Sequence, residues 1–538
     1  MSDFRSEARR WLAAEPDSDM RAELQALIDG PDEELSVRFD GRLQFGTAGL
    51  RAAVGAGPQR MNRLVVQQAA AGLVDYLLKA EADATTRGVI IGYDARRKSD
   101  AFALDTARVC AARGVRAMIF PHVVPTPMLA WNIVGVRAAA GVVVTASHNP
   151  PADNGYKVFT ANGAQIVSPV DAEIAACIDL IDPCAVELSA EDDPLIEWLD
   201  DLYVRAYLDF VPSVRLWPEL EGVPVAYSAM HGVGGGTLVA AFDRSGFPNP
   251  YVVAQQQEPN AAFPTVSFPN PEEPGAMDLL LAEAAACNAA IALCNDPDAD
   301  RLGAAIPTPE GGWRRLQGDE IGWLLADHIL RHTSGDDRLV ITTLVSSSLL
   351  SKMAAEYGVR FAETYTGFKW IGHTILSHAE SHFVFGYEQA LGYLVCGRPL
   401  DKDGISAAVM LAEVAALAMA EGVTLQGRLD DISARFGKHV MADLSVKMPP
   451  VEGVAAVGRL RATPPTELDG RAVSSVEWFD EAGLLRLQLG PDLRLQLRPS
   501  GTEPKVKLYG EGIDIDPAPY LHALAALLSV TACPGHAG

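Results

Sequence analysis

The sequence has no C-x-x-C pair, no long apolar run and few basic residues, and each lack removes a class of protein. Seven cysteines (Cys110, Cys177, Cys184, Cys287, Cys294, Cys396 and Cys533) are scattered along 538 residues. An odd, dispersed set argues against a disulfide framework and against a zinc cluster; reduced thiols in a cytoplasmic protein are the expectation. No stretch of ~18 consecutive apolar residues occurs, so neither a membrane span nor a membrane partner is expected. Met1-Ser2-Asp3-Phe4-Arg5 opens a charged helical segment and lacks the apolar core of a signal peptide. Lysine and arginine number 44 against 69 aspartates and glutamates, a formal charge of −25. Such a surface repels phosphate backbones, which excludes nucleic acid as an expected partner. It repels small sugar phosphates too, so any anion site must be assembled locally from Arg, Lys and backbone N–H groups.

What is present is an ordinary globular composition, 49% hydrophobic and 21% charged. At roughly 100–200 residues per domain, the chain has room for three or four. Residues 1–40 read as amphipathic helices, with Trp11, Leu12, Leu24, Leu27 and Ile28 on the apolar stripe. A helix over 62–80, a strand over 88–93, a helix over 99–113 and strands over 115–120 and 138–144 follow. This alternation of short β-branched runs with longer helices predicts doubly wound α/β layers. The rhythm restarts at Val223–Tyr227 and closes on Ala289–Cys294; it restarts again at Arg338–Thr342 and closes on His382–Phe385. After about residue 435 it changes to short strands over 440–447, 484–489 and 493–497 and a closing helix over 519–528, an α+β unit. Pro449-Pro450 and Thr463-Pro464-Pro465 read as loops within it.

Each α/β unit therefore ends on an apolar strand that runs into a polar loop: 145–150, 295–301 and 386–393. Ligands of open α/β sheets sit beyond the carboxyl ends of strands, so three such loops can converge on one cleft. The first reads Thr145-Ala146-Ser147-His148-Asn149-Pro150. It presents Ser147 at a strand end beside His148, although a serine hydroxyl needs a base, a metal or prior modification to act as a nucleophile. The second, Asn295-Asp296-Pro297-Asp298-Ala299-Asp300-Arg301, has carboxylates at alternate positions. In an extended loop these point the same way, and a divalent cation such as Mg²⁺ removes their repulsion. An aspartyl nucleophile of the D-x-D type and an acidic surface turn are the competing readings. The third, Gly386-Tyr387-Glu388-Gln389-Ala390-Leu391-Gly392-Tyr393, sets one carboxylate between glycines, suited to two neighbouring sugar hydroxyls.

Three more stretches carry signals. Phe45-Gly46-Thr47-Ala48-Gly49-Leu50-Arg51 is a tight loop ending in a guanidinium, either a phosphate contact or a surface turn. Arg498-Pro499-Ser500-Gly501-Thr502-Glu503-Pro504-Lys505 offers a guanidinium, two hydroxyls, exposed N–H groups and an ammonium, a phosphate cradle without nucleotide P-loop spacing. His231-Gly232-Val233-Gly234-Gly235-Gly236 lacks the acidic residue that a dinucleotide site wants at the end of the next strand, and reads as a strand-to-helix turn.

Taken together, these stretches resemble the α-D-phosphohexomutase superfamily, in the family's order and over nearly the whole chain. Tyr365-Thr366-Gly367-Phe368-Lys369-Trp370-Ile371-Gly372 and the Glu388 stretch look most like the phosphoglucomutase/phosphomannomutase branch, which includes phosphopentomutases. The resemblance implies three doubly wound α/β units plus a C-terminal α+β domain around one central cleft. Their expected bounds are 1–200 (phosphoserine), 201–316 (metal), 317–435 (sugar recognition) and 436–538 (phosphate). It implies a phosphorylated Ser147, with Mg²⁺ held by Asp296, Asp298, Asp300 and the Ser147 phosphate, and a sugar 1,6-bisphosphate as activator and intermediate. By the same resemblance His148 and Lys157 are the acid/base candidates, and Arg51 and Arg301 steady the transferring group. Thr366, Gly367 and Lys369 distinguish sugar faces and Glu388 holds ring hydroxyls. Arg498, Ser500, Gly501, Thr502 and Lys505 bind the phosphate that is not reacting. The implied activity interconverts hexose 1-phosphate and 6-phosphate of glucose or mannose. Ala390 stands where many hexomutases have a serine, so a pentose phosphate is the alternative, and a metal-dependent sugar phosphatase is a further rival.

Overall fold

The computed structural model describes residues 4–500 and 504–528. Among these, three α/β units each carry a sheet whose central strands are parallel. The first sheet has the order Leu50–Ala53, Asp153–Thr160, Ala140–Val144, Val89–Tyr93, Ala117–Ile119, Ile196–Trp198. The second runs Trp313–Arg315, Leu302–Pro307, Ile291–Asn295, Val225–Ser228, Tyr251–Val252. The third runs Arg360–Thr364, Arg338–Thr343, His382–Glu388, Gly392–Leu394.

One feature recurs in all three. A parallel strand (Ala140–Val144, Ile291–Asn295 or His382–Glu388) turns back through a short loop into an antiparallel partner. Those turns are the polar loops singled out in the sequence. Strands covered on both faces must be apolar throughout, which is why Ala-Gly-Val-Val-Val and Ile-Ala-Leu-Cys read as continuous runs. The third strand is longer than its apolar run: pairing with Gly392–Leu394 carries it through Glu388, which stands at a strand end rather than in a loop.

The second and third units share the helix Gly404–Ala420, which packs on Gly234–Arg244 and Gly318–His332. It is buried over nearly its whole length, so its sequence is apolar all round. No single helix among the described residues is long and apolar enough to cross a membrane.

The last unit is an antiparallel sheet in the order His439–Lys447, Lys505–Ile513, Leu493–Pro499, Leu484–Gln488, Ser475–Phe479. Helices Pro450–Ala462 and Ala518–Leu528 cover it. Pro450, expected in a loop, begins a helix. Proline is tolerated there because the first-turn N–H has no intrahelical acceptor. Ser475–Phe479 carries no apolar run; its pairing with Leu484–Gln488 makes it a strand. This unit docks on the turn after Arg338–Thr343. Arg494 Nη2 donates to Ser346 O (2.6 Å), Gln496 Nε2 to Leu344 O (2.6 Å), and Ser347 Oγ to Glu511 Oε1 (2.6 Å).

Candidate active site

Ser147 sits at the turn between Ala140–Val144 and Asp153–Thr160, with its backbone left-handed at φ 50°. Its Oγ donates to Asp296 Oδ2 at 2.7 Å and lies 3.2 Å from His148 Nδ1. The serine of the first loop and the first aspartate of the second thus meet directly, across 149 residues of chain.

The three aspartates are fully buried, and one oxygen from each lies within 4.8 Å of the others. Lys157 Nζ donates to Asp298 Oδ2 (2.7 Å) and Asp300 Oδ2 (2.8 Å). Lys402 Nζ lies 2.9 Å from Asp300 Oδ2, and Thr126 Oγ1 donates to Asp298 Oδ2 at 2.7 Å. Asp298 Oδ1 and Asp300 Oδ1 nevertheless have no hydrogen-bond partner among the described residues. Buried, unmatched carboxylate oxygens on one small volume are the donor set a hard divalent cation needs, so the residues present fit Mg²⁺. The electrostatics agree. Burial, then Asp298 and Asp300, push the Asp296 carboxyl up to about 8. Burial also opposes ionisation of Asp298, but Lys157 outweighs it and holds that carboxyl below the usual range. A cluster in which one carboxyl resists ionisation and the other two lean on lysines has room for more positive charge.

Arg51 follows the tight loop at Gly46–Gly49. Gly49 has φ 71°, and a Cβ there would lie 1.8 Å from Tyr156 O, so only glycine lets the loop pack on the strand bearing Lys157. Arg51 Nη1 donates to Asn149 Oδ1 at 3.0 Å, while its Nε is buried without a partner among the described residues. The Nε of Arg301 is in the same state, and Arg301 Nη1 lies 3.6 Å from Glu272. Burial, then Arg301 and Arg51, hold the His148 imidazole well below its usual pKa and therefore neutral. Two guanidiniums with unmatched donors beside a serine hydroxyl form an anion site.

The third unit closes on this group from the other side. An isolated bridge joins Arg301 to Gly392, the register partner of Glu388, and Leu302 N donates to Leu391 O at 3.0 Å. Burial raises the Glu388 carboxyl, opposed by Lys402 and Arg301. Lys369 Nζ donates to Thr47 Oγ1 of the Arg51 loop. Burial lowers its ammonium to about 8, against Asp171 and Glu388. Gly367, at φ 111°, caps the helix Phe368–Ser377, and Thr366 Oγ1 beside it is buried without a partner among the described residues. Ser346 Oγ donates to Oε1 of Gln389, next to Glu388, at 2.9 Å.

Arg498, Ser500 and Lys505 lie apart from these groups, on the hairpin of the last unit, where Ser500 N donates to Lys505 O at 2.8 Å. Gly501 and Thr502 lie outside the described residues. A cavity of 470 Å³ separates the last unit from the second and third, lined among others by Glu272, Gln389 and Tyr509.

Four groups at the site escaped the sequence reading: Thr126, Lys402, Glu272 and Arg96. Lys402 lies in Asp401-Lys402-Asp403, a charged run before a helix that could have been weighed. Asp94-Ala95-Arg96 follows the parallel strand Val89–Tyr93, so the strand-end rule that found the other loops applies to it as well. Arg96 Nη atoms donate to four backbone carbonyls of the serine turn: Ser147 (2.6 Å), Asn149 (2.5 Å), Pro150 (2.8 Å) and Asp153 (3.1 Å).

Models of the phosphoglucomutase/phosphomannomutase α/β/α domains I, II and III match residues 42–183, 201–311 and 317–436. A probable phosphomannomutase of Haemophilus influenzae is 40% identical over 469 residues, 85% of this chain and 94% of that protein. A probable phosphoribomutase of Schizosaccharomyces pombe is 34% identical over 542 residues, 93% of this chain and 92% of the relative. Among solved structures, a putative phosphomannomutase from Thermus thermophilus superposes with a TM-score of 0.72 at 23% identity, over 91% of this chain and all of the other, and so shares the fold. The chain belongs to the phosphoglucomutase/phosphomannomutase family of the α-D-phosphohexomutase superfamily, enzymes that move a phosphoryl group within a phosphosugar.

Proposed function

We propose that this protein interconverts sugar 1-phosphates and their terminal phosphates through a phosphorylated Ser147 and a sugar bisphosphate. The carrying observation is the 2.7 Å contact of Ser147 Oγ with the buried aspartate cluster. In the forward half-reaction a sugar hydroxyl attacks the Ser147 phosphate in line, the P–Oγ bond breaks, and the hydroxyl proton leaves. His148, neutral and 3.2 Å from Oγ, is placed to take that proton. Lys157 is held protonated by Asp298 and Asp300 against the burial that opposes its charge, and serves as the acid whose proton goes to the departing Ser147 Oγ. Arg51 and Arg301 spread the charge of the transferring group over their free donors. Mg²⁺ on Asp296, Asp298 and Asp300, when bound, neutralises the phosphoserine dianion. The bisphosphate then turns over, and its 1-phosphate returns to Ser147. Glu388 holds ring hydroxyls, Thr366, Gly367 and Lys369 tell the sugar faces apart, and the hairpin from Arg498 to Lys505 takes the distal phosphate.

Glucose and mannose phosphates are the first substrates to test. One observation favours a pentose phosphate as the second reading: Ala390 offers no hydroxyl, and the Gln389 amide is engaged with Ser346. The relative named a probable phosphoribomutase in S. pombe supports the same reading. The test compares kcat/KM for glucose, mannose and ribose 1-phosphates, each with its bisphosphate, in wild type and Ser147→Ala. A mutase yields the terminal phosphate with little free phosphate, and Ser147→Ala abolishes turnover. Wild-type rates in Ser147→Ala, or release of free phosphate as the main product, refute the proposal.

A further inference from the structure

Arg96 is 3% exposed, and its guanidinium is turned into the backbone of the serine turn. Four carbonyls, of Ser147 and of three residues that follow it, converge on two of its nitrogens. Asp94 anchors the arginine from behind. Asp94 Oδ1 accepts from the Arg96 N–H (2.9 Å) and from Ser99 Oγ (2.7 Å), and Oδ2 lies 3.4 Å from Arg96 Nε. Phe263, from the second unit, covers the guanidinium at 5.1 Å. Between these supports Ser147 holds φ 50°, a region a serine leaves unless its surroundings impose it.

We propose that Arg96 is the positioning residue of phosphoryl transfer: by collecting these four carbonyls it imposes the left-handed backbone of Ser147 and so aims Oγ at the aspartate cluster. The inference rests on Ser147 being the phosphoryl carrier, as proposed above. An arginine is required because its planar fork meets several acceptors at fixed angles; a lysine ammonium reaches fewer of them and methionine reaches none. Without it the turn relaxes towards ordinary φ, Oγ moves off the line of attack, and transfer slows while the groups that bind the sugar phosphate stay in place.

The test is single-turnover transfer of labelled phosphate from glucose 1,6-bisphosphate to Ser147, run beside steady-state kcat and KM. Arg96→Met is expected to slow phosphoserine formation about 30-fold or more with KM within about threefold, and Arg96→Lys to lie between it and wild type. A cavity of 430 Å³ lined by Tyr93, Arg96, Asp100 and His122 opens beside the side chain. Added guanidinium ion should therefore restore at least fivefold of the lost rate to Arg96→Ala, and nothing to Ser147→Ala. Transfer in Arg96→Met within threefold of wild type, or equal-factor changes in kcat and KM, overturns the assignment. Should Arg96→Met not fold, Asp94→Asn carries the test. It keeps the guanidinium but loosens its anchor, so transfer slows about fivefold or more; an unchanged rate overturns the assignment. A wild-type protein that accepts no phosphate on Ser147 would refute the phosphoserine reading itself, a different outcome from any of these.

Discussion

The glycine-rich stretch after the strand Val225–Ser228 allows a sharp test of how the metal loop is held. Gly232 lies against Pro297, between the first two aspartates. A Cβ at residue 232 would stand 2.4 Å from Pro297 Cα, 2.5 Å from its carbonyl oxygen and 2.8 Å from its carbonyl carbon. All three are backbone atoms, so no flexible side chain can yield. Restoring ordinary contact needs a displacement of about 1 Å. Gly232→Ala must therefore push Pro297, and with it Asp296 and Asp298, out of register. The overpacking costs about 1–3 kcal/mol of stability. The misplaced carboxylates lose about 10- to 100-fold in Mg²⁺ affinity, with kcat falling alongside. Gly236 supplies the control four residues on: it is exposed in the helix Gly234–Arg244, with nothing within 4 Å of its Cβ position. Gly236→Ala should leave Mg²⁺ affinity unchanged and add up to about 1 kcal/mol of stability through helix propensity. Mg²⁺ titrations of activity, with thermal melts, measure both. Equal Mg²⁺ affinity in the two variants would show that contact with Gly232 does not set the aspartate loop.

Three further outcomes are expected. Burial pushes the Glu15 carboxyl up to about 7, and its Oε2 has no partner among the described residues, so its ionisation opposes folding as pH rises from the unfolded pKa through 7. Glu15→Gln should stabilise the protein at about pH 8, by up to about 3 kcal/mol, and leave its Tm unchanged at about pH 4. Glu511 is depressed to about 2 because Arg494 (2.7 Å) and His439 (2.8 Å) outweigh its burial. Its stabilisation is present above the unfolded carboxyl pKa and is lost as pH falls towards 2. Glu511→Gln should lower stability by about 3 kcal/mol at neutral pH, and hydrogen exchange should show that loss at the interface between Ser346–Ser348 and the last sheet. The Lys369 ammonium, lowered to about 8, should make KM for the sugar phosphate rise above that pH; Lys369→Gln should raise KM at neutral pH and remove the alkaline limb of the profile.

The loops were legible because their chemistry is local. Three aspartates at alternate positions, a serine and histidine after an apolar strand, and an arginine after two glycines each state a requirement within a few residues. The α/β rhythm was legible because parallel strands buried on both faces must be apolar throughout. The last unit was less so. Ser475–Phe479 is a five-residue segment with no apolar run, its alternation too short to stand out, and Pro450 looked like a break because proline serves equally as loop and as helix start. Arg96 and Lys402 stand beside local carboxylates that a sequence can show, but the groups they serve at the site lie far off in the chain. The carbonyls of Arg96 lie 51 to 57 residues away, and Lys402 meets Asp300 across 102 positions (402 − 300).

By itself the sequence determined which α/β strands are buried and which polar loops follow them, since both are stated by side chains within a few residues of chain. Only the tertiary structure decided that the serine touches the aspartates, that two lysines share their carboxylates, and that one arginine gathers the serine turn. These are contacts of charges and dipoles in a buried volume, where strength depends on distance and desolvation, and neither is a property of any segment alone.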